Sequence, residues 1–333
     1  MAGRALVTGG AGFIGSHVAD AFLAAGYAVT VLDDLSSGRR ENVAPRAAFV
    51  ELDITRPEAA AVVRDGRFDV IAHLAAQIDV RRSVADPVFD ATVNIIGTVR
   101  LLEAVHATTS TTRVIFASTG GALYGDFAVP PNAESVPKNP EAPYGIAKLS
   151  AEYYLAYYAR LHGLDTVALR FANVYGPRQD PHGEAGVVAI FCARLLNGQP
   201  LTVFGDGKQT RDYVHVVDVA RANVAAAQSV LPPPGRLDDR AFNIGTGVET
   251  SVNELAATLG LAAGQAPAIE FAPARPGEQL RSSVGVEKAA AVLGWRPRLT
   301  LREGLRDTYR YFAEKGTRAG PRPAMTVTGD TNA

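Results

Sequence analysis

The chain has 333 residues, a mass of 35.1 kDa and 47% hydrophobic residues, enough to bury one large core or two linked ones. Its 33 lysines and arginines balance 34 aspartates and glutamates for a formal net charge of -1, which excludes the basic field a nucleic acid would need and leaves small molecules and other subunits as the expected partners. A single cysteine, Cys192, cannot form an internal disulfide, and its apolar run at 189–192 reads as a buried inert thiol in a reducing cytoplasm.

Residues 4–8 form a short apolar strand, and Gly9, Gly12 and Gly15 follow it at once, leading into a helix over 16–25. A strand that turns through glycines into a helix lets backbone approach a pyrophosphate, and the helix N-terminus attracts the anion. Gly9, Gly12, Phe13, Ile14 and Gly15 are therefore candidate dinucleotide contacts. A second strand over 28–32 ends in Asp33, whose carboxylate can accept from ribose hydroxyls and repels a 2′-phosphate; this favours NAD over NADP although Arg39 and Arg40 lie near. Because strand and glycines occupy the first fifteen positions, no secretory or transit segment is expected. No run approaches the roughly eighteen uncharged apolar residues of a membrane span, so no membrane partner is expected either.

Beyond Asp33, strands at 47–52, 68–73, 113–117 and 166–171 alternate with helices at 57–64, 86–106 and across Tyr144 and Lys148. That alternation predicts an α/β fold with a Rossmann-type doubly wound parallel sheet. Right-handed crossovers then bring Gly9, Asp33, Asp53, Leu74, Ser118 and Phe171 to one crevice at the strands' C-terminal edge. After Phe171 irregular stretches at 173–186 and 264–284 separate short strands (201–204, 212–215, 242–244) from helices (216–230, 252–259, 301–312). The expected organisation is a dinucleotide-binding domain over 1–172, a smaller α/β capping domain over 173–316 from which the chain can cross back to the first, and a disordered tail over 317–333.

The run Tyr144-Gly145-Ile146-Ala147-Lys148 carries the chemistry. A phenol titrates near about 10 and accepts a proton at neutral pH only beside a cation. Spacing of four along one helix puts Lys148 on the face of Tyr144, where the two can share a substrate hydroxyl and a nucleotide ribose. Tyr153, Tyr154, Tyr157 and Tyr158 on the same helix read as packing or dimer contacts.

With these residues in place the sequence resembles the extended short-chain dehydrogenases/reductases, in their nucleotide-sugar epimerase and dehydratase group, over about residues 3–315. The wording that carries the resemblance is TGGAGFIGSH at 8–17, VLDD at 31–34, HLAAQ at 73–77, YGIAK at 144–148, LRFANVYGP at 169–177, RDYVHV at 211–216, NIGTG at 243–247 and RPGE at 275–278. It implies a tightly bound NAD. Asp53 and Ile54 would contact its adenine, Leu74, Ala75 and Ala76 would line it, Phe171 would border the nicotinamide, and Asp34, Ser37, Gly38, Gln77, Asn94, Tyr144 and Lys148 would complete the cofactor contacts. A UDP-sugar diphosphate would be held by Asn173, Arg211 and Arg275, since two guanidinium forks can clamp its oxygens. Glu278 would accept from a ribose hydroxyl, Thr202 to Phe204 match a uracil-stacking strand, Ser83 and Val188 complete the substrate contacts, and no metal is implied.

Relatives that eliminate water or carbon dioxide carry carboxylates after the fifth strand, whereas residues 117–125 here have none. The resemblance therefore implies the minimal reaction, 4-epimerisation of a UDP-hexose, in which hydride leaves C4 and returns to the other face. UDP-glucose and UDP-galactose are the expected pair, with N-acetyl forms admitted because Ser282 is small opposite C2. Counting back from Tyr124, the usual catalytic hydroxyl position falls on Gly120; a one-residue expansion at Gly120-Gly121 assigns that hydroxyl to Thr119, with Ser118 second. Tyr144 is expected to act as base and then acid, with Lys148 lowering its pKa. Two alternatives stand beside this reading. One is a UDP-glucuronate 4-epimerase, which Asp180 disfavours by repelling the carboxylate unless Arg81, Arg82 or Arg178 offsets it; the other is a nucleotide-sugar 4-ketoreductase. The helices at 86–106 and 143–162 are expected to pair with their copies in a four-helix homodimer interface.

Overall fold

The computed structural model describes residues 2–108, 111–182, 186–275 and 279–315; Glu278 and the tail over 317–333 lie outside the described residues. Strand β1 (Gly3–Thr8) has Ala5, Leu6 and Val7 wholly buried, as a parallel strand covered on both faces requires. It is followed by α1 (Phe13–Ala24), β2 (Tyr27–Asp33), β3 (Ala48–Glu51), α2 (Pro57–Gly66) and β4 (Val70–His73). A short α3 (Val80–Ala85) comes next, and the long helix expected over 86–106 follows as α4 (Pro87–Ala91), a π-helical turn at Thr92–Ile96 and α5 (Gly97–His106), joined through αR backbone without a break. Pro87 separates α3 from α4: it supplies no N–H to a preceding turn, and the Asp86 carboxylate accepts from Phe89 N at 2.9 Å to start the longer helix there. The chain continues through β5 (Arg113–Thr119), α6 (Pro143–His162) and β6 (Asp165–Phe171).

The second half contributes β7 (Asn173–Tyr175), α7 (Val187–Leu196), β8 (Leu201–Phe204), β9 (Thr210–Arg211), β10 (Tyr213–His215), α8 (Val216–Gln228), β11 (Ala241–Ile244), β12 (Thr250–Ser251), α9 (Val252–Ala263), β13 (Ile269–Ala272), α10 (Glu287–Leu293) and α11 (Leu301–Lys315). The stretches read as irregular thus contain β7 and β13, each short and paired to a strand distant in sequence. The strand expected over 212–215 divides at Asp212, whose buried carboxylate turns to other partners.

Seven parallel strands form the main sheet in the order β11-β6-β5-β4-β1-β2-β3, the Rossmann-type doubly wound arrangement. Strand β11, from the second half, extends its edge beside β6, and α8 lies against α1. One apolar cluster, with Val18, Phe22, Val219 and Trp295, fills the α1 and α8 face; another, with Val63, Leu101 and Leu155, fills the α2, α5 and α6 face. A third packs α7, α9 and α11 around Phe191, Leu255 and Phe312. Among the described residues no helix is long and apolar enough to cross a membrane.

Candidate active site

Order reverses between β1 and β4, and the chain leaves β1 there through the glycine run into α1. A Cβ on Gly15 would stand 2.0 Å from the Gly9 carbonyl oxygen, so only glycine lets the helix pack this close to its strand. Gly12 caps α1 without a side-chain bond and the first turn has no acidic residue, which leaves the N–H groups of Phe13 and Ile14 for an external anion. Asp33 ends β2 beside them, accepting from Ala11 N and Leu35 N at 2.9 Å each, and burial pushes its carboxyl above the usual range. It shapes the glycine loop and keeps lone pairs for a ribose. Asp34 instead turns into its own loop to accept from Ser36, and Ser37 and Gly38 follow, next to Arg39, whose N–H bonds Ala11 O at 2.9 Å. Asp53 accepts from Thr55 N at 2.8 Å, and Ile54 is buried against α2 and α5. These residues fit an adenine dinucleotide along the edge of the sheet.

A hydrogen-bond chain sets the floor. Thr98 Oγ1 donates to Asn94 O at 2.7 Å, so it accepts from His73 Nε2 at 3.1 Å; His73 Nδ1 then accepts from Thr8 Oγ1 at 2.7 Å, which in turn accepts from Ala75 N at 3.2 Å. Burial lowers His73 to about 3, so the imidazole is neutral. Leu74, Ala75 and Ala76 leave β4 on this support, with Leu74 N bonded to Thr8 O. Gln77 and Asn94 use their side chains on one another and on Asp90: Asn94 Oδ1 accepts from Gln77 N at 3.0 Å, and Asp90 Oδ1 accepts from Gln77 Nε2 at 2.8 Å and Asn94 Nδ2 at 3.0 Å. These bonds hold the loop that follows β4.

Strand alternation decides between the two candidate hydroxyls, because neighbours on β5 face opposite sides. Ser118 Oγ donates to Glu152 Oε1 at 2.5 Å inside a buried pair in which Arg170 Nη2 meets Glu152 Oε2 at 2.6 Å. This corrects the second choice: Ser118 is spent on α6 and β6. Thr119 pairs in register with Phe171 at the strand tips, and its Oγ1 accepts from Ala122 N at 3.2 Å, leaving its proton to donate. The inserted glycine has a reason in packing, since a Cβ on Gly120 would come 2.8 Å from Val284 Cγ1. Helix α6 begins at Pro143, and the buried Ser83 hydroxyl accepts from Tyr144 N at 3.2 Å, so Ser83 aims the start of the helix. One turn on, Lys148 Nζ donates to Ala117 O at 3.0 Å, lying 4.7 Å from the Phe116 ring centroid and 5.9 Å from that of Tyr144. Burial pushes Tyr144 up and Asp90 pushes the same way, while burial brings Lys148 down to about 8.

Opposite this edge the capping layer supplies the other side. Asn173 stands 3.7 Å from where a Gly121 Cβ would be, and its N–H bonds Asp212 O. Asp212, which the sequence reading passed over, accepts from Thr246 N at 2.8 Å, Gly247 N at 3.0 Å and Val284 N at 3.3 Å, so it ties Arg211 to the loops that reach Gly120. Arg211 donates to Thr210 O, and the Arg275 guanidinium lies 3.8 Å from the Phe204 ring centroid. Thr202 accepts from Arg194, Ser282 is buried, and Val188 sits in the apolar cluster of the capping layer. Arg178 bridges to Asp20 on α1 at 2.8 Å, which removes it from the arginines proposed to meet a uronate; Arg82 lies over Phe89, and Asp180 accepts from His182 N within its own turn.

Residues 5–245 match the model of the NAD dependent epimerase/dehydratase family. A UDP-glucose 4-epimerase of Mycolicibacterium smegmatis is 47% identical over 317 residues, covering 94% of this chain and 99% of that one. Two solved structures are similar over the same extent: a UDP-glucose 4-epimerase of Thermotoga maritima with UDP-glucose (TM-score 0.88, 46% identity, 94% and 99% covered) and one of Thermus thermophilus in complex with NAD (TM-score 0.85, 44% identity, 93% and 98% covered).

Proposed function

The chain belongs to the NAD dependent epimerase/dehydratase family, and from that premise we propose that it interconverts UDP-glucose and UDP-galactose by NAD-dependent 4-epimerisation. The observation that carries this reading is the make-up of the β5 tip. Residues 117–125 carry the Thr119 hydroxyl at the tip of β5 but no carboxylate, and Glu152, the acid on α6, is closed in its pair with Arg170. Elimination or decarboxylation would need a further acid-base group, whereas epimerisation needs one. When bound, NAD supplies a hydride acceptor that returns the same hydride. The chain does the rest: the first turn of α1 binds pyrophosphate, Asp33 the adenosine ribose, Thr119 orients O4 by donating to it, and Tyr144 takes the O4 proton and gives it back. Lys148 holds the nicotinamide ribose, Arg211 and Arg275 the diphosphate, and Thr202 with Phe204 the uracil.

Residues 1–172 serve as the NAD-binding unit and 173–316 as the nucleotide-sugar unit, with α8 and β11 returned to the first. We place the enzyme in the cytoplasm, and read it as a homodimer because α4, the π-helical turn and α6 leave Val88, Ile96, Ile146, Tyr153, Tyr154 and Leu161 exposed. The test is to incubate purified protein, without added cofactor, with UDP-glucose, UDP-N-acetylglucosamine and UDP-glucuronate separately and analyse C4 of each sugar. Conversion of UDP-glucose to UDP-galactose is expected as the fastest reaction. Turnover only with added NADPH oxidised mole for mole, or a kcat/KM on UDP-glucuronate tenfold above that on UDP-glucose, would overturn it.

A further inference from the structure

Asp90 on α4 is 1% exposed and in direct ion-pair contact with no cation among the described residues; burial pushes its carboxyl up, while the bond from Gln77, the Lys148 ammonium on α6 and the bond from Asn94 hold it down. Gln77 and Asn94 fix its Oδ1, while its Oδ2 has no hydrogen-bond partner there. A buried carboxylate is costly unless paired, so a residue that merely packed here would be better neutral. Helices α3 and α4 form the wall along the start of α6: α4 packs on α6, and Ser83 of α3 bonds Tyr144 N. From these observations we propose that Asp90 is a positioning residue of the reaction, a fixed negative charge that Gln77 and Asn94 hold beside Tyr144 and Lys148 and against which that pair exchanges its proton. The proposal rests on the reading of Tyr144 as the acid-base group.

Lys148 Nζ gives one of its three protons to Ala117 O and none to Asp90, so Asp90 acts on it through its field, which carries further in a buried site than in water. Asp90 is the one charge that adds to burial in pushing the Tyr144 phenol up, and the largest that opposes burial in holding the Lys148 ammonium. The other groups facing the pair are accounted for. Glu152 on α6 also holds the Lys148 ammonium, after Asp90, but it is paired with Arg170 of β6 and bonded by Ser118 of β5; His73 of β4 is neutral, and Arg82 of α3 lies over Phe89. A balance of charge gives the reason for such an arrangement. When the O4–H and C4–H bonds break and the C4 carbonyl forms, a Tyr144 phenolate would take the proton while bound NAD would supply the hydride acceptor, so one negative and one positive charge would be lost together. Lys148 and Asp90 remain as a neutral pair in both halves of the reaction.

The experiment compares the NAD-loaded parent with Asp90→Asn and Asp90→Glu. It reads the pH profile of kcat/KM on UDP-glucose and the ultraviolet titration of tyrosinate, with Tyr144→Phe in each background as the blank. Removing the negative charge favours both the phenolate and the neutral amine. In Asp90→Asn both limbs of the profile and the Tyr144 titration should move to lower pH by about one unit or more, and Asp90→Glu should restore most of the shift. Should Asp90→Asn fail to fold, the smaller neutral Asp90→Ser is expected to show the same shift. A profile and a tyrosinate titration that stay where the parent has them, whatever the turnover or Tm, would show that Asp90 only packs. If the parent does not epimerise UDP-glucose, the proposed function falls while the tyrosinate titration still decides the role of Asp90.

Discussion

Thr119 and Ser118 are adjacent hydroxyls on one strand with different tasks, and substitution should separate them. Tyr144→Phe keeps ring and packing but removes the proton carrier, so turnover on UDP-glucose should fall on the order of 10² or more with NAD content unchanged. Thr119→Ala should cost on the order of 10² in kcat, because Ser118 cannot rotate across the strand to replace a donor at O4. Ser118→Ala should keep turnover within a few-fold and lower stability by about 1.5–3 kcal/mol, the loss of a buried hydrogen bond to a charged group. Steady-state kinetics with thermal unfolding of all three variants checks this; a Ser118→Ala enzyme that is stable but inactive would reverse the two roles.

At the scale of elements, β1, β4, the π-helical turn and α5 are joined through His73, which lies between Thr8 and Thr98. The sign of its pH effect follows from its lowered pKa. The folded chain refuses the proton until about 3, while the unfolded chain takes it near 6.5, so the stability it contributes is complete above about 6.5 and drains away as the pH falls towards 3. His73→Gln, which keeps one donor and one acceptor but does not titrate, should start from a lower Tm at pH 7.5 and lose less of it on going to pH 5. Scanning calorimetry across that range checks it, and parallel Tm profiles for parent and variant would exclude His73 as the source.

For the whole molecule, α4 and α6, which pack on one another, leave Val88 75% and Leu161 69% exposed together with Tyr153, Tyr154 and Tyr157. One sheet face is already covered by these helices, so their outer residues are the surface that the proposed homodimer would bury. Light scattering at micromolar concentration should give twice the chain mass, and Tyr153→Glu with Leu161→Glu should give monomers. A parent that scatters as a monomer would leave this side to another partner.

Local pattern by itself determined the parallel sheet, the glycine turn at its switch point and the extent of α6, because these depend on periodicity, on the absence of a Cβ and on Pro143 and Gly163 at the helix ends. It also brought Lys148 to within one turn of Tyr144. Only tertiary structure decided what surrounds that pair. Which way Ser118 points depends on Glu152 and Arg170 from two other elements, and the return of β11 to the main sheet depends on the open edge of β6. Asp90 gives no signal beyond a helical spacing to Asn94, since a carboxylate in a helix is ordinarily solvated. Its meaning comes from burial against α6, and burial belongs to the folded chain, because a group loses its water only when distant segments close over it.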